Sequence, residues 1–472
     1  MFRQFSHFIA LMGTAAFLSL GHGALATLII QQGALLSFSE SFLGLLTSAS
    51  YAGFFVGSFI IRPLLRRVSY IRTYAVCAAM ISIVTLMLPI FPSQWGWLIL
   101  RFFHGVFFST AVIICEGWLN SKIDKENRSR MFGSYMTVNY ICYGISQYIL
   151  TVGAQTPYLA YSLSAICLIM SLLPMCLTRF PEPQLPAVSK DGGGLSLRDA
   201  YRIAPITFIG QFFIGVLTSS SWLFVRYAEK SGFDSADTAL LAALFFSSGF
   251  AFQVPIGWLS DRSSDRRNII ISVYGVSCLL AVLIFFGAYL PFGILAVLIF
   301  LFGATSATLF ALNVAYGQDF VEKESAAEYS GRIFLAYAFG ALIGPIVAGI
   351  VMDIFFPAWL FGFMAIILIV AGVFTFTDRF MPRFKPAKTE RFQTLSPHLA
   401  THTMGEEEEV YGVGDIGPDF PPEHEIAPVY GVGDIGPDFP PEHEIAPVYG
   451  VGDIGPDFPP EQLQITTDKK DE

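Results

Sequence analysis

The turn Gly257-Trp-Leu-Ser-Asp-Arg-Ser-Ser-Asp-Arg-Arg267 separates two long apolar segments of the chain. A weaker copy, Leu64-Leu-Arg-Arg-Val-Ser69, separates two apolar segments in the first half, with Arg66 at the position of Asp261. Arginine-rich turns at matching places in two halves are typical of polytopic membrane proteins built by internal duplication. The pattern therefore predicts a helical membrane protein.

The composition favours the same class. Of 472 residues, 54% are hydrophobic and only 14% are charged, which is too apolar for a soluble protein. A helix needs ~20 apolar residues to cross ~30 Å of hydrocarbon. Twelve segments meet this requirement: 8–30, 42–61, 73–90, 97–119, 132–153, 158–177, 204–225, 238–259, 268–289, 292–316, 332–352 and 356–377.

Basic residues predict the orientation of these spans. They are concentrated before span one and in the even-numbered gaps, whereas the odd-numbered gaps hold only Arg226 and Lys230. Positive loops remain in the cytoplasm, so both termini are expected there, in a multi-pass protein of a bacterial inner membrane. Ala24-Leu-Ala26 resembles a signal cleavage site, but cleavage would invert these loops, so span one is expected to be retained.

The domain organisation follows from the spans and from changes in composition. Four parts are predicted: a six-helix bundle over 1–177, a cytoplasmic linker over 178–203, a second six-helix bundle over 204–380, and a cytoplasmic tail over 381–472. The linker is rich in Pro and Gly and has no helical periodicity.

The tail differs sharply from the rest of the chain. Residues 1–391 carry 26 basic and 19 acidic side chains, whereas residues 392–472 carry 2 and 18. An acidic Gly/Pro-rich unit of 19 residues starts at Val410 and Val429, and a shortened third copy starts at Val448. This composition predicts disorder. The repeats either bind a cytoplasmic protein multivalently or are an expansion without a defined role.

Motifs for chemistry or cofactors are missing from the sequence. It contains no phosphate-binding loop, nucleophile elbow or His-Glu-x-x-His. The six cysteines lie in apolar spans without metal-ligand spacing. The sequence therefore predicts no enzyme, cofactor, metal site or nucleic-acid partner.

The first motif also carries a family resemblance. Gly257, Leu259 and Asp261-Arg262, followed by Arg266 and Arg267, match the signature Gly-x-Leu-x-Asp-Arg with a basic cluster. With two halves of six spans, this motif resembles the major facilitator superfamily. Three further segments resemble its uncharacterised bacterial YcaD-like branch: Cys115-Glu-Gly117, Asn127-Arg-Ser-Arg130 and Tyr135-Met-Thr-Val-Asn-Tyr140. The resemblance implies an all-α membrane fold of two six-helix bundles related by a pseudo-two-fold axis.

The resemblance also implies a conformational latch at Gly257, Asp261, Arg262 and Arg266. Asp261 would lie near the positive end of a neighbouring helix, and the arginines would reach carboxylates and exposed carbonyls. The first-half copy has Arg66 instead of the acid, so it cannot work in the same way. A simpler interpretation is that these charges only set the topology.

Proton coupling is predicted at Arg101 and Glu116. Arg101-Phe-Phe-His-Gly105 resembles the family's Arg-x-x-x-Gly signature, which is associated with proton coupling. An arginine inside a span costs ~2.5–3.5 kcal/mol on insertion scales, so it usually faces a cavity or a partner. Glu116 lies 15 residues on, about 22 Å along a helix. Its alternative role is that of an interfacial acid.

Helix packing is predicted at Gly340, Gly344, Pro345 and Gly349, because small residues at this spacing allow close approach. The pattern resembles the family's antiporter signature, but that signature belongs in span five. Span five instead has Tyr143-Gly-Ile-Ser-Gln147, which weakens the case for antiport.

Polar side chains on the spans are candidates for a substrate cavity, although each could instead make only an interhelical hydrogen bond. The candidates are His22, Gln31, Asn139, Tyr140, Gln147, Gln211, Trp222, Gln253, Asn313 and Tyr337. One basic candidate, one acidic candidate and many aromatics favour a neutral, amphipathic or cationic small molecule over a polyanion.

The predicted function is secondary active transport of a small organic solute by alternating access, coupled to protons, in a monomer embedded in the bilayer. Efflux of amphipathic compounds is the preferred direction. Two alternatives remain: proton-coupled uptake of a sugar or other nutrient, and a membrane sensor or scaffold whose tail binds a partner.

Overall fold

The computed structural model describes residues 2–121, 128–177, 195–287, 290–321 and 323–378. The predicted tail repeats and residues 178–194 of the predicted linker lie outside this range. The first half contains α1 (Phe2–Leu35), α2 (Glu40–Arg67), α3 (Tyr70–Met87), α4 (Gln94–Ser121), α5 (Arg128–Ser146), α6 (Ile149–Gln155), α7 (Pro157–Met170) and α8 (Leu172–Leu177).

The second half begins with a short helix, α9 (Leu197–Ile203). It continues with α10 (Pro205–Ser220), a 3₁₀ turn (Ser221–Leu223), α11 (Phe224–Lys230), α12 (Ser235–Ser247), α13 (Gly249–Arg262), α14 (Arg266–Phe285), α15 (Phe292–Gln318), α16 (Lys323–Ile354) and α17 (Trp359–Asp378).

Local signals explain several helix starts. Ser39 caps α2 by accepting a hydrogen bond from the Phe42 amide at 3.2 Å, and Asp234 caps α12 through the Asp237 amide at 2.8 Å. Pro157 and Pro205 open α7 and α10, where a missing amide hydrogen has no cost.

Helix α9 lies within the predicted linker, for which the sequence shows no helical periodicity. Ser196 accepts from the Asp199 amide at 3.1 Å, and the Asp199 carboxylate accepts from Ser196 in return, which forms a capping box. The hydrogen bonds from Ser196 also lower the pKa of Asp199. A capping box can start a short helix without a long periodic pattern.

Eleven helical segments in the described part of the chain are long and apolar enough to cross a membrane. The sequence predicted twelve. The exception is 132–153, which forms α5 and α6 with a break between them. Polar residues such as Asn139 and Gln147 lower the hydropathy of this segment. It nevertheless lies inside the helical assembly, where α5 packs against α1 and α12.

The two halves repeat one packing scheme. In the first, α2 packs along α4, and α3 along α7; in the second, α12 and α13 pack along α15, and α14 along α17. The halves meet along two seams, α2 with α16 and α5 with α12. Each seam joins the second span of one half to the fifth span of the other, so the two seams are equivalent to each other. This arrangement confirms the predicted fold of two pseudo-symmetric helical bundles.

Close helix approaches depend on glycine. At Gly105 in α4, a Cβ atom would lie 1.9 Å from the carbonyl oxygen of Ser50 in α2. At Gly340 in α16, it would lie 1.9 Å from the carbonyl oxygen of Phe212 in α10. The outer faces are apolar, as Val76, Leu279 and others show by their exposure, which suits contact with lipid.

Candidate functional site

A cavity of about 240 Å³ lies between the two halves. Its walls come from α1, α2, α4 and α5 of the first half, and from α10, the 3₁₀ turn, α12, α13, α15 and α16 of the second. The volume suits a small organic molecule, and a site between two helical halves can be opened from either side by relative motion.

Seven of the residues predicted for the cavity or for proton coupling line this space. They are His22, Arg101, Glu116, Asn139, Tyr140, Trp222 and Tyr337. They come from five separate elements, so only the tertiary fold brings them together. Of these, Asn139 accepts a hydrogen bond from Ser19 at 2.6 Å, and Tyr337 bonds Thr218 at 3.0 Å.

Five predicted residues do not line the cavity, which corrects the sequence interpretation: Gln31, Gln147, Gln211, Gln253 and Asn313. Their amide groups bond other protein groups, four of them within one half and Gln253 across to the first half. Gln31 donates to the Leu150 carbonyl at 3.1 Å, and Gln211 donates to the Phe310 carbonyl at 3.0 Å. Buried amides in a low-dielectric interior must find such partners.

The other three follow the same rule. Gln147 donates to the Tyr143 carbonyl at 2.9 Å, and Asn313 donates to the Leu309 carbonyl at 3.0 Å. Gln253 donates to the Tyr140 hydroxyl at 3.1 Å and so orients the side chain of a residue that lines the cavity.

An aromatic wall forms one side of the cavity. The His22 ring stacks on Phe108 at 3.6 Å between centroids and meets Trp222 edge-on at 6.0 Å. Trp222 in turn stacks on Phe246 at 4.6 Å and donates its indole N–H to the Tyr51 hydroxyl at 3.1 Å. Sequence analysis missed Tyr51, Phe108 and Phe246, because aromatic residues occur throughout the spans.

Arg101 is a buried cation in the cavity wall. It lies eight residues into α4 and is only 4% exposed. Its Nε and Nη1 atoms are buried without hydrogen-bond partners. The groups within electrostatic range of its charge include the side chains of Tyr51, Tyr161 and His104. Within the described residues, no carboxylate pairs with it.

Glu116 is a fully buried carboxyl further along α4 and is 0% exposed. The Tyr135 hydroxyl donates to its Oε1 at 3.2 Å. Such burial does not match the alternative role of an exposed interfacial acid. The separation of 15 residues from Arg101 places the two charged groups roughly 22 Å apart along the helix axis.

An ion-pair cluster joins the halves where α2 begins. Arg226 of α11 contacts Glu40 of α2 and Glu229 of its own helix, each at 2.7 Å. In addition, Asp353 of α16 accepts from the Glu40 and Ser41 amides at 2.9 and 2.8 Å. Sequence analysis did not select these residues, although Arg226 stood out as one of two bases in the odd-numbered gaps.

The motif at 257–267 forms a second cluster, at the ends of α13 and α15. Arg266 is 2% exposed and contacts Asp261 at 3.0 Å and Asp319 at 2.9 Å. Arg262 lies over the Trp258 ring at 3.9 Å, and Gly257 is buried in α13. Both of these acids lie in the second half, and Asp319 was not predicted.

The glycine motif of α16 packs against two helices, α10 and α2. Gly340 and Gly344 pack against the α10 backbone. Gly349 packs against the Glu40 carbonyl, and the Pro345 carbonyl lies against Gly44 in α2. The motif therefore contributes both to packing within the second half and to the seam between the halves.

This architecture matches a known family. The family model of the Major Facilitator Superfamily covers residues 5–225 and again 207–412. The chain belongs to the major facilitator superfamily. It is therefore a member of a multi-pass membrane family of secondary transporters, whose substrates are small molecules.

Two sequence relatives are similar to this chain over most of its membrane-spanning part. The chain is 25% identical over 332 residues to the uncharacterized MFS-type transporter YE1530 of Yersinia enterocolitica, covering 70% of this chain and 83% of the relative. It is 24% identical over 314 residues to the uncharacterized MFS-type transporter YcaD of Salmonella typhimurium, covering 66% and 80%. These matches confirm the predicted resemblance to YcaD-like proteins.

Solved structures show the same fold. The nucleoside transporter NupG aligns with a TM-score of 0.62 at 16% identity, over 80% of this chain and 100% of that one. A bacterial homologue of the human lysosomal transporter Spinster, inward-facing and unoccupied, aligns with a TM-score of 0.64 at 13% identity, over 85% and 98%.

Proposed function

We propose that this protein exports small amphipathic organic solutes from the bacterial cytoplasm across the inner membrane in exchange for protons. The protein works as a monomer with both termini in the cytoplasm. The observation that carries the proposal is the cavity between the halves, which contains one buried cation and one buried carboxyl within apolar walls.

The shape of the cavity supports loading from the cytoplasm. On α4 and α5 its lining extends to Glu116 and Tyr135, towards the helix ends that the basic loops assign to the cytoplasm. On α2 the lining stops at Thr47, short of Glu40. The cluster of Arg226 and Glu40 then closes the opposite side.

Glu116 is the proposed proton carrier. Its carboxyl lies in the cavity wall, where gain or loss of a proton changes the charge that the solute meets. A ligand or proton shifts a conformational equilibrium only by its difference in affinity between two states. Proton binding at Glu116 and solute binding nearby can therefore favour opposite conformations.

Transport by purified protein in liposomes tests this proposal. The liposomes hold an internal pH dye and an acidic lumen, and amphipathic cations, amphipathic carboxylates, neutral drugs and sugars are added outside. We expect lumenal alkalinisation with at least one amphipathic compound. Liposomes without protein and liposomes with Glu116→Gln correct for passive entry of weak bases.

The other outcomes separate the alternatives. Acidification of the lumen would indicate symport and nutrient uptake. No proton movement across the panel, with folded protein, would contradict coupled export and favour a sensor or scaffold. Deleting residues 392–472 separates these roles further, because transport should survive the deletion whereas a tail-dependent scaffold should not.

A further inference from the structure

Arg101 has hydrogen-bonding capacity that the protein does not use. A guanidinium has five N–H donors, and buried charges in proteins are normally paired. Here Nε and Nη1 are buried without a partner, and the side chain faces the cavity. Among the described residues this buried cation in a membrane span has no counter-charge, and such a cation normally faces a cavity or a partner, here an anion that could come from outside the chain.

The acids nearest to the cavity cannot supply this anion. Glu116 is on the same helix, 15 residues away. Glu40 is held by Arg226 at 2.7 Å, and Asp353 caps the start of α2. The Tyr161 hydroxyl beside Arg101 is likewise buried without a hydrogen-bond partner. An unsatisfied hydroxyl thus accompanies an unmatched positive charge.

Tyr51 connects this charge to the aromatic wall. Its oxygen accepts the indole N–H of Trp222 at 3.1 Å, so its own O–H remains able to donate to a ligand. Beyond Trp222 lie the rings of His22, Phe108 and Phe246. An anionic head at Arg101 would therefore leave an apolar or aromatic body against this wall.

We propose that the solute carries one carboxylate, bound by the Arg101 guanidinium and the Tyr51 hydroxyl, on an aromatic or apolar body that packs against Trp222 and His22. The planar guanidinium matches a carboxylate with two parallel hydrogen bonds. A single cation favours a monoanion over a phosphate dianion. This inference rests on the proposed transport function and narrows its substrate class.

Binding of matched acid and amide pairs tests it. The probes are 3-phenylpropionate, 4-phenylbutyrate and indole-3-acetate, each with its neutral amide, titrated by calorimetry into the purified full-length protein up to ~10 mM. Because a hydrogen bond to a charged group is stronger than one to a neutral group, we expect at least one acid to bind about 10- to 100-fold more tightly than its amide. Arg101→Gln should bring this ratio close to one, and Arg101→Lys should reduce it.

Two controls keep the result specific. Arg332→Gln removes an arginine of α16 that contacts Glu328 at 3.5 Å, outside the cavity lining, and should retain the ratio. The acid-to-amide ratio is measured within each variant, so a partial loss of folded protein does not change it. Monodispersity by gel filtration excludes variants that aggregate.

The inference fails if no acid in the series binds, if acids and amides bind equally, or if Arg101→Gln keeps the preference. These outcomes differ from failure of the proposed function. Proton-coupled flux of amides or cations without carboxylate preference would keep the function and reject this substrate class. Carboxylate binding lost in Arg101→Gln, without proton-coupled flux, would keep the inference and reject the coupling.

Discussion

Replacing Arg226 with glutamine should open the seam between the halves at the end where α2 begins. Arg226 contacts Glu40 across the seam and Glu229 on its own helix. The Glu40 and Arg226 side chains are only 9% and 10% exposed, and the variant removes the guanidinium that pairs with both Glu40 and Glu229.

The structure sets the size of this effect. Removing one partner from a buried ion pair costs about 3–5 kcal/mol, because the other charge stays buried. In the open form Glu40 is exposed to water, where loss of its ion pair with Arg226 costs only about 0–1 kcal/mol. The closed form is therefore destabilised by roughly 2–4 kcal/mol relative to the open form, which shifts their ratio about 30- to 1,000-fold.

Distances between spin labels at Leu36 and Phe355 can measure this shift. Both side chains are exposed, and they lie beside α2 and α16 in different halves. Arg226→Gln should add a longer distance to the distribution. Lys230→Gln removes an equal charge one turn away and should change nothing.

Glu40→Gln should change the distance distribution less than Arg226→Gln does, because Arg226 keeps Glu229 as a partner. An unchanged distance distribution in folded Arg226→Gln would refute the reasoning that this cluster holds the halves together. The same would follow from an equal effect of Lys230→Gln.

Three other substitutions address the cavity, the motif and the packing. Glu116→Gln should bind solute but lose the pH dependence of transport, measured with lumenal pH from 6 to 8; an unchanged profile would assign the proton elsewhere. Asp261→Asn removes an acid that Arg266 contacts. Loss of ~1 kcal/mol should slow turnover about 3- to 10-fold without reducing membrane insertion, and normal turnover would exclude the latch. Gly340→Ala places a Cβ against the Phe212 carbonyl and should lower the free energy of unfolding by about 1–3 kcal/mol. The control Gly275→Ala enters open space and should have little effect on thermal unfolding. Equal melting temperatures of the two variants would contradict the packing argument.

The polar candidates show how far sequence patterns predict a cavity. Sequence alone marks His22, Gln211 and Gln253 as equally unusual in apolar spans. The structure separates them because the angular position of a side chain on its helix decides whether it meets the cavity or a neighbouring carbonyl. That position depends on how each helix is rotated in the bundle, which packing across the whole half determines.

The missed residues illustrate the same limit. Glu40 and Arg226 are 186 positions apart, and no local pattern links them. Asp319 was missed likewise, because its contact with Arg266 depends on how α13, α14 and α15 meet. The division of segment 132–153 into α5 and α6 also depends on its neighbours, since a helix with polar residues is stable in the bundle only where they are buried.

The sequence by itself determined the membrane class, the duplicated halves and the family, because these follow from apolar length, charge distribution and a local motif. It also placed Arg101 and Glu116 on one helix at a known separation. Only the tertiary structure decided which side chains share the cavity, which acids neutralise which arginines, and that Arg101 has no counter-charge within the described chain. Those facts depend on contacts between distant segments, which local composition and periodicity do not specify.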